Sequence, residues 1–200
     1  MTKRVYKLDP IPTIYNGVRY RSRLEARWAL FFDAIGLRAQ YELDGWEIRP
    51  GVAYLADFWL PQIKMFFEVK PTDPEWEEIQ KCSGLTQVAE CDMLLAVGAP
   101  EARFQIRWFD RGGLRDEQYC FAHDRYGDCG FWMVGEQTSQ PIGPLTTIEH
   151  LPAGPVFHWI DEAYERARSG RFEADTRRTR AQPVTFPADA HEALAEEHAA

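Results

Sequence analysis

Two runs rich in aromatic and β-branched residues, Tyr54-Leu55-Ala56-Asp57-Phe58-Trp59-Leu60 and Met65-Phe66-Phe67-Glu68-Val69-Lys70, are separated only by Pro61 to Lys64. Runs of this length and composition read as strands, and so short a link makes them antiparallel neighbours. With the turn centred on Gln62 and Ile63, Pro61 faces Lys64 and Leu60 faces Met65. The same register then sets Asp57 opposite Glu68. Opposed side chains have Cβ atoms about 4.5–5.5 Å apart, and like charges at that spacing are destabilising. Both carboxylates also sit among apolar neighbours, where an unpaired charge is costly. A divalent cation between them relieves the conflict, and hard oxygen ligands suit Mg²⁺ or Mn²⁺. Lys70, two residues after Glu68, shares its face of the strand, while Val69 points to the other face and the core. A lysine beside two carboxylates and a metal orients or deprotonates a water, or neutralises charge developing on a phosphate. An isolated E-x-K usually reads as an exposed charge pair; the register with Asp57 and the aromatic flanks favour the chemical reading.

The rest of the chain supplies a frame for this hairpin. Residues 1 to 21 read as an extended arm, with Pro10 and Pro12 opposing helix and a turn at Tyr15-Asn16-Gly17. Ser22 to Ile35 reads as a helix capped by Ser22 and ended at Gly36, with Leu24, Trp28, Phe31, Phe32 and Ile35 on one face. Tyr41 to Ile48 and Val52 to Leu60 read as strands. A second helix is expected from Asp73-Pro74 to about Ala89, burying Ile79, Cys82 and Leu85. Met93 to Val97, Phe104 to Phe109, Gln118 to Phe121 and Phe131 to Val134 read as short strands. A late helix opens at Pro155 and runs to about Arg168, docked by Trp159 and Tyr164. The expectation is an α/β fold, a mixed central sheet flanked by helices. A core over residues 22–100 is followed by a small β/α extension over 101–172 and a mobile tail over 173–200.

Glu25 has two readings. Ser22-Arg23-Leu24-Glu25 fits the S-x-x-E capping box. Yet Trp28 and Phe32 on the same side tilt Glu25 towards the core, where it reaches a second metal or a metal-bound water.

Net charge is −8, which on its face argues against nucleic acid. Its distribution argues otherwise: residues 1 to 38 carry Lys3, Arg4, Lys7, Arg19, Arg21, Arg23, Arg27 and Arg38 against Asp9, Glu25 and Asp33. A basic N-terminal face is compatible with phosphate contacts. No apolar run has the length of a membrane span, and MTKRVYKLDP lacks the apolar segment of a signal peptide. The four cysteines, Cys82, Cys91, Cys120 and Cys129, read as thiols of a reducing cytosol. Cys120, His123 and Cys129 form a loose group without an evident fourth ligand, so structural Zn is not expected. The aromatic pairs Trp108-Phe109 and Phe131-Trp132 read as core, though either offers rings on which a base stacks.

A first-helix Glu, a strand Asp and an E-x-K on the next strand, in this order, resemble the active site of the PD-(D/E)XK nuclease superfamily. The match spans roughly residues 20 to 97. It implies a restriction-endonuclease-like core and hydrolysis of a phosphodiester by water activated at Mg²⁺ or Mn²⁺. Carried over residue by residue, the catalytic set is Glu25, Asp57, Glu68 and Lys70. Asp57, Glu68 and the backbone carbonyl of Val69 bind metal, with Glu25 acting through water. The chain departs from the pattern in having Ala56 where the family often has Pro, and in lacking Q-x-x-x-Y in the following helix. The compact, helix-first layout resembles junction-resolving and transposon-end-cleaving members. The expected function is therefore a cytoplasmic, metal-dependent DNA endonuclease acting alone, as a homodimer or in a larger nucleoprotein assembly. The alternative is a catalytically inactive nucleic-acid-binding or assembly protein on the same fold. Retention of all four site residues favours the enzyme.

Overall fold

The computed structural model describes residues 10–103, 105–123, 131–135, 141–142 and 159–174. The described residues begin with a hairpin, β1 (Thr13–Tyr15) and β2 (Val18–Tyr20): the turn falls where expected, and the arm around it is paired strand. Asn16 and Gly17 both adopt positive φ, 49° and 78°, the combination a type I′ turn needs. Helix α1 (Arg23–Ala34) follows, with Ser22 Oγ accepting from the Glu25 N–H at 3.1 Å. Next come β3 (Gln40–Tyr41), β4 (Gly45–Arg49), β5 (Val52–Leu55), β6 (Phe58–Leu60) and β7 (Met65–Lys70). Helix α2 (Trp76–Ala89) leads to β8 (Asp92–Val97), β9 (Ile106–Asp110), β10 (Gly113–His123), β11 (Phe131–Gly135) and β12 (Pro141–Ile142). Helix α3 (Trp159–Ser169) and β13 (Glu173–Ala174) complete the described chain.

The fold is mixed α/β. Among the described residues the main sheet has eight strands in the order β12-β11-β10-β9-β8-β7-β6-β3, and β13-β1-β2 and β4-β5 form smaller sheets. The main sheet is mostly antiparallel. Its parallel pair, β7 with β8, is the one that α2 connects, as a parallel pair requires a crossover. Strands β9 to β12 continue the sheet beyond β8, so the residues read as an extension from 101 onwards add to the same sheet.

Side-chain alternation divides the core in two. On one face Phe58, Leu60, Phe67, Val69, Leu94 and Phe121 pack against Trp28, Phe31 and Phe32 of α1 and Ile160, Ala163 and Tyr164 of α3. On the other, Trp59, Phe66, Met93, Leu95 and Phe109 meet Cys82 and Leu85 of α2 and Trp46 of β4. A helix of α1's length is marginal in isolation. Burial of each of its three rings, worth about 1.5–3 kcal/mol, holds it to the sheet. Tyr164 stacks on Phe31 with ring centroids 4.5 Å apart and donates to the Phe121 carbonyl at 3.0 Å. Trp108 and Phe109 are both buried, so they serve the core.

Four expectations are corrected. The run Val52 to Leu60 is not one strand: it breaks at Ala56-Asp57, where β5 leaves the sheet to pair with β4. Tyr41 to Ile48 likewise divides, because Glu42 takes a left-handed φ of 46°. Helix α2 starts at Trp76, not Pro74; its N-cap is Glu75, whose N–H donates to Glu78 Oε2 at 2.9 Å. Glu173–Ala174, in the segment read as a tail, pairs with β1. The expected helix start at Pro155 and the side chains of His123, Cys129, Phe131, Trp132 and Trp159 lie outside the described residues. Among the described residues no helix is long and apolar enough to cross a membrane.

Candidate active site

The hairpin register is the one expected from the sequence: Leu60 pairs with Met65, Trp59 with Phe66 and Phe58 with Phe67. One step further Asp57 lies across from Glu68, but the ladder has ended. In its place each carboxylate accepts a backbone N–H from the opposing segment. Glu68 Oε2 accepts from Asp57 at 3.2 Å, and Asp57 Oδ2 accepts from Val69 at 2.8 Å. This exchange explains the strand break, because the Asp57 amide is spent on a side chain rather than on a neighbouring strand.

Glu25, Asp57 and Glu68 are 8%, 4% and 4% exposed, and they are the buried acidic residues among those described. Acids are almost never buried without partners, and here the partners are specific. Lys70 Nζ lies 2.8 Å from Glu68 Oε1 and 3.3 Å from Glu78 Oε1 on α2. Arg21 Nη2 lies 3.0 Å from Asp57 Oδ1. Arg21 Nε sits 2.6 Å from Glu42 Oε1 as an ion pair. Glu25 does not close the reciprocal half of a capping box. Its Oε1 accepts from Ser22 Oγ at 2.6 Å, while Oε2 accepts from the Tyr41 hydroxyl at 2.5 Å and the Arg21 N–H at 3.1 Å.

Charge counting decides what this group lacks. Among the described residues, five carboxylates (Glu25, Glu42, Asp57, Glu68, Glu78) meet two cationic side chains, Arg21 and Lys70. Burial, then Glu68 and then Glu25, push the Asp57 carboxyl well above its ordinary range, against smaller opposing effects of the Val69 N–H and Arg21. Burial works against the Lys70 charge, but Glu68 and Glu78 outweigh it and raise its pKa. Tyr41 is raised by burial and by Glu25, so it stays a hydrogen-bond donor.

The donor set is chemically suited to a hard divalent cation: buried oxygens with surplus negative charge. Among the described residues no group of three or more His, Cys, Asp or Glu side chains is arranged as a ready ligand set. Asp57 and Glu68 are the two candidate side-chain ligands. The Val69 carbonyl faces the same edge as Asp57. The Lys70 carbonyl accepts from Gly98 N–H at 2.8 Å on the β8 side, and alternation along the strand turns Val69 to the opposite edge, where its N–H meets Asp57. Gly98 also accepts from Trp28 Nε1 at 2.9 Å, so one residue ties α1 to the end of β7.

All four residues singled out from the sequence thus contribute to one network, with Glu25 joined to Asp57 through Arg21. Sequence reasoning missed Arg21, Tyr41, Glu42 and Glu78. The usable signal was Arg21's place directly before the N-cap Ser22, one turn from Glu25. Cys82 and Cys91 are buried free thiols, and Cys120 is a half-buried one. Compared with known families, curated proteins and solved structures, the chain matches no family model, no curated protein and no solved structure.

Proposed function

We propose that this chain is a metal-dependent endonuclease that hydrolyses DNA phosphodiester bonds, as its resemblance to the PD-(D/E)XK nucleases implies. The observation that carries the reading is the burial of Glu25, Asp57 and Glu68 together, short of positive charge, with Lys70 at their edge. A structural ion-pair network would balance its charges; among the described residues this one leaves a deficit that a divalent cation would fill. Asp57, Glu68 and the Val69 carbonyl would hold the ion. When bound, it would supply Lewis acidity to a phosphoryl oxygen and lower the pKa of its water.

The chain's own side chains do the rest. Lys70, tethered to Glu68, orients a water or offsets charge gathering on the phosphate. Glu25 fixes the Arg21 backbone and the Tyr41 hydroxyl, and so shapes the approach to Asp57. Exposed Arg21 and Arg23 at the start of α1 offer the positive surface that a phosphate backbone needs. The order helix, antiparallel strands, crossover helix, parallel strand is also compatible with the family core, though fold alone does not assign chemistry.

The test is a cleavage assay with purified protein on duplex, branched and single-stranded DNA and on RNA, with Mg²⁺, Mn²⁺, Ca²⁺ or EDTA. Cleavage of DNA with Mg²⁺ or Mn²⁺, and none with Ca²⁺ or EDTA, is expected. Undiminished cleavage in EDTA after exhaustive dialysis would end the metal-dependent reading.

A further inference from the structure

We infer that Arg21 is the side chain that a divalent ion displaces from Asp57, and that once displaced it grips the substrate phosphate. This rests on the nuclease reading above and extends it to a residue outside the family motif. Asp57 is buried, and its Oδ2 is occupied by the Val69 N–H. Its other oxygen, Oδ1, is held by Arg21 Nη2 at 3.0 Å. The Arg21 side chain is 55% exposed, so it reaches Asp57 from the solvent side. An ion ligated by Oδ1 has to take that approach, and two cations cannot share one carboxylate oxygen without strong repulsion.

The backbone of Arg21 is anchored independently of its side chain. Its N–H donates to Glu25 Oε2 at 3.1 Å and to the Tyr41 hydroxyl at 3.0 Å. The guanidinium therefore leaves Asp57 without unfolding the start of α1, and Glu42 at its Nε limits how far it swings. What is released is a planar fork of donors, the group best matched to phosphate oxygens. Ion entry and phosphate capture become one exchange. The guanidinium offsets part of the Asp57 charge before the metal arrives and serves the substrate afterwards.

The experiment is calorimetric Mn²⁺ titration of the full chain, with binding of a labelled DNA duplex in Ca²⁺ across a range of salt. The proteins are wild type, Arg21→Gln, Arg21→Lys and Asp57→Ala, each checked by circular dichroism. Arg21→Gln should tighten Mn²⁺ binding by about fivefold or more, the lower end of typical coupling between sites. It should also weaken DNA binding and reduce the salt slope by about one. Arg21→Lys keeps the charge without the fork, so Mn²⁺ affinity should stay near wild type while DNA binding weakens. Unchanged or weaker Mn²⁺ binding by Arg21→Gln overturns the exchange, and wild-type DNA binding by either Arg21 variant overturns the phosphate grip. If wild type binds Mn²⁺ no better than Asp57→Ala, the metal reading fails and takes this inference with it. If wild type binds and Arg21→Gln matches it, the exchange alone fails.

Discussion

Asp57 carries a conflict that a titration exposes. Its carboxyl is raised above the ordinary 3.8 by burial, Glu68 and Glu25, so the folded state holds that proton more tightly than the unfolded state does. Below 3.8 both states are protonated. As pH rises through the raised value the folded state is forced to ionise and stability is lost. In EDTA, the thermal midpoint of wild type should therefore fall with rising pH above about 4 relative to that of Asp57→Asn, which should melt higher near neutrality. Identical pH profiles for the two proteins would show that Asp57 is comfortably ionised. Lys70 answers a different question, because an ammonium cannot ligate a metal. Lys70→Ala should keep Mn²⁺ affinity within a few-fold of wild type yet lose cleavage by orders of magnitude; wild-type cleavage by this variant would reduce the E-x-K to a charge pair. These residues were legible in the sequence because a four-residue link fixes the register of Leu60 on Met65, and Asp57 on Glu68 follows by counting. Arg21 was not legible. Its role depends on a contact with a residue 36 positions away and on a strand break that no local pattern announces.

Helices and strands differ in how plainly their residues declared them. The face of α1 follows from the spacing of Trp28, Phe31, Phe32 and Ile35, all fully buried. The division of Val52 to Leu60 does not, since both halves favour extended backbone and the break comes from side-chain bonds at Asp57 together with the pairing of β5 to β4. Gly98 shows an element boundary with chemical importance. Its φ of 85° suits glycine, and an added Cβ would stand 3.1 Å from Arg103 Nη2. Gly98→Ala should cost about 1–2 kcal/mol and lower the thermal midpoint by about 2–8 °C. Because the Gly98 N–H fixes the Lys70 carbonyl, cleavage measured well below that midpoint should fall as well. A melting curve superimposable on wild type would mean that the strand end absorbs the methyl without strain.

Across the whole molecule, the two ends of the described chain are joined. Strand β13 pairs with β1, Phe172 packs edge-on against Tyr15 with centroids 5.8 Å apart, and Arg27 donates to the Ala167 carbonyl at 2.7 Å and to that of Arg168. Removal of residues 176–200, polar and rich in Ala and Glu, should leave the melting midpoint within about 2 °C of wild type. Removal of 171–200 should lower it by more, since it also takes away Phe172 and β13; equal midpoints for the two truncations would show that this strand adds nothing. The closure of α1 by Phe121 and Tyr164 also sets an order of assembly. Hairpin β6–β7 joins neighbours and forms quickly, whereas two of the rings that seat α1, Phe121 and Tyr164, come from far along the chain, and contacts that distant form slowly. In pulsed hydrogen exchange during refolding, amides of Phe58–Leu60 and Met65–Phe67 should gain protection before those of Trp28–Phe32. On the ribosome the same separation orders the layers: the hairpin, the face of α1 that meets Phe58 and Phe67, and the contacts of Arg21 and Glu25 come from the first part of the chain, and β10 and α3 close over α1 last.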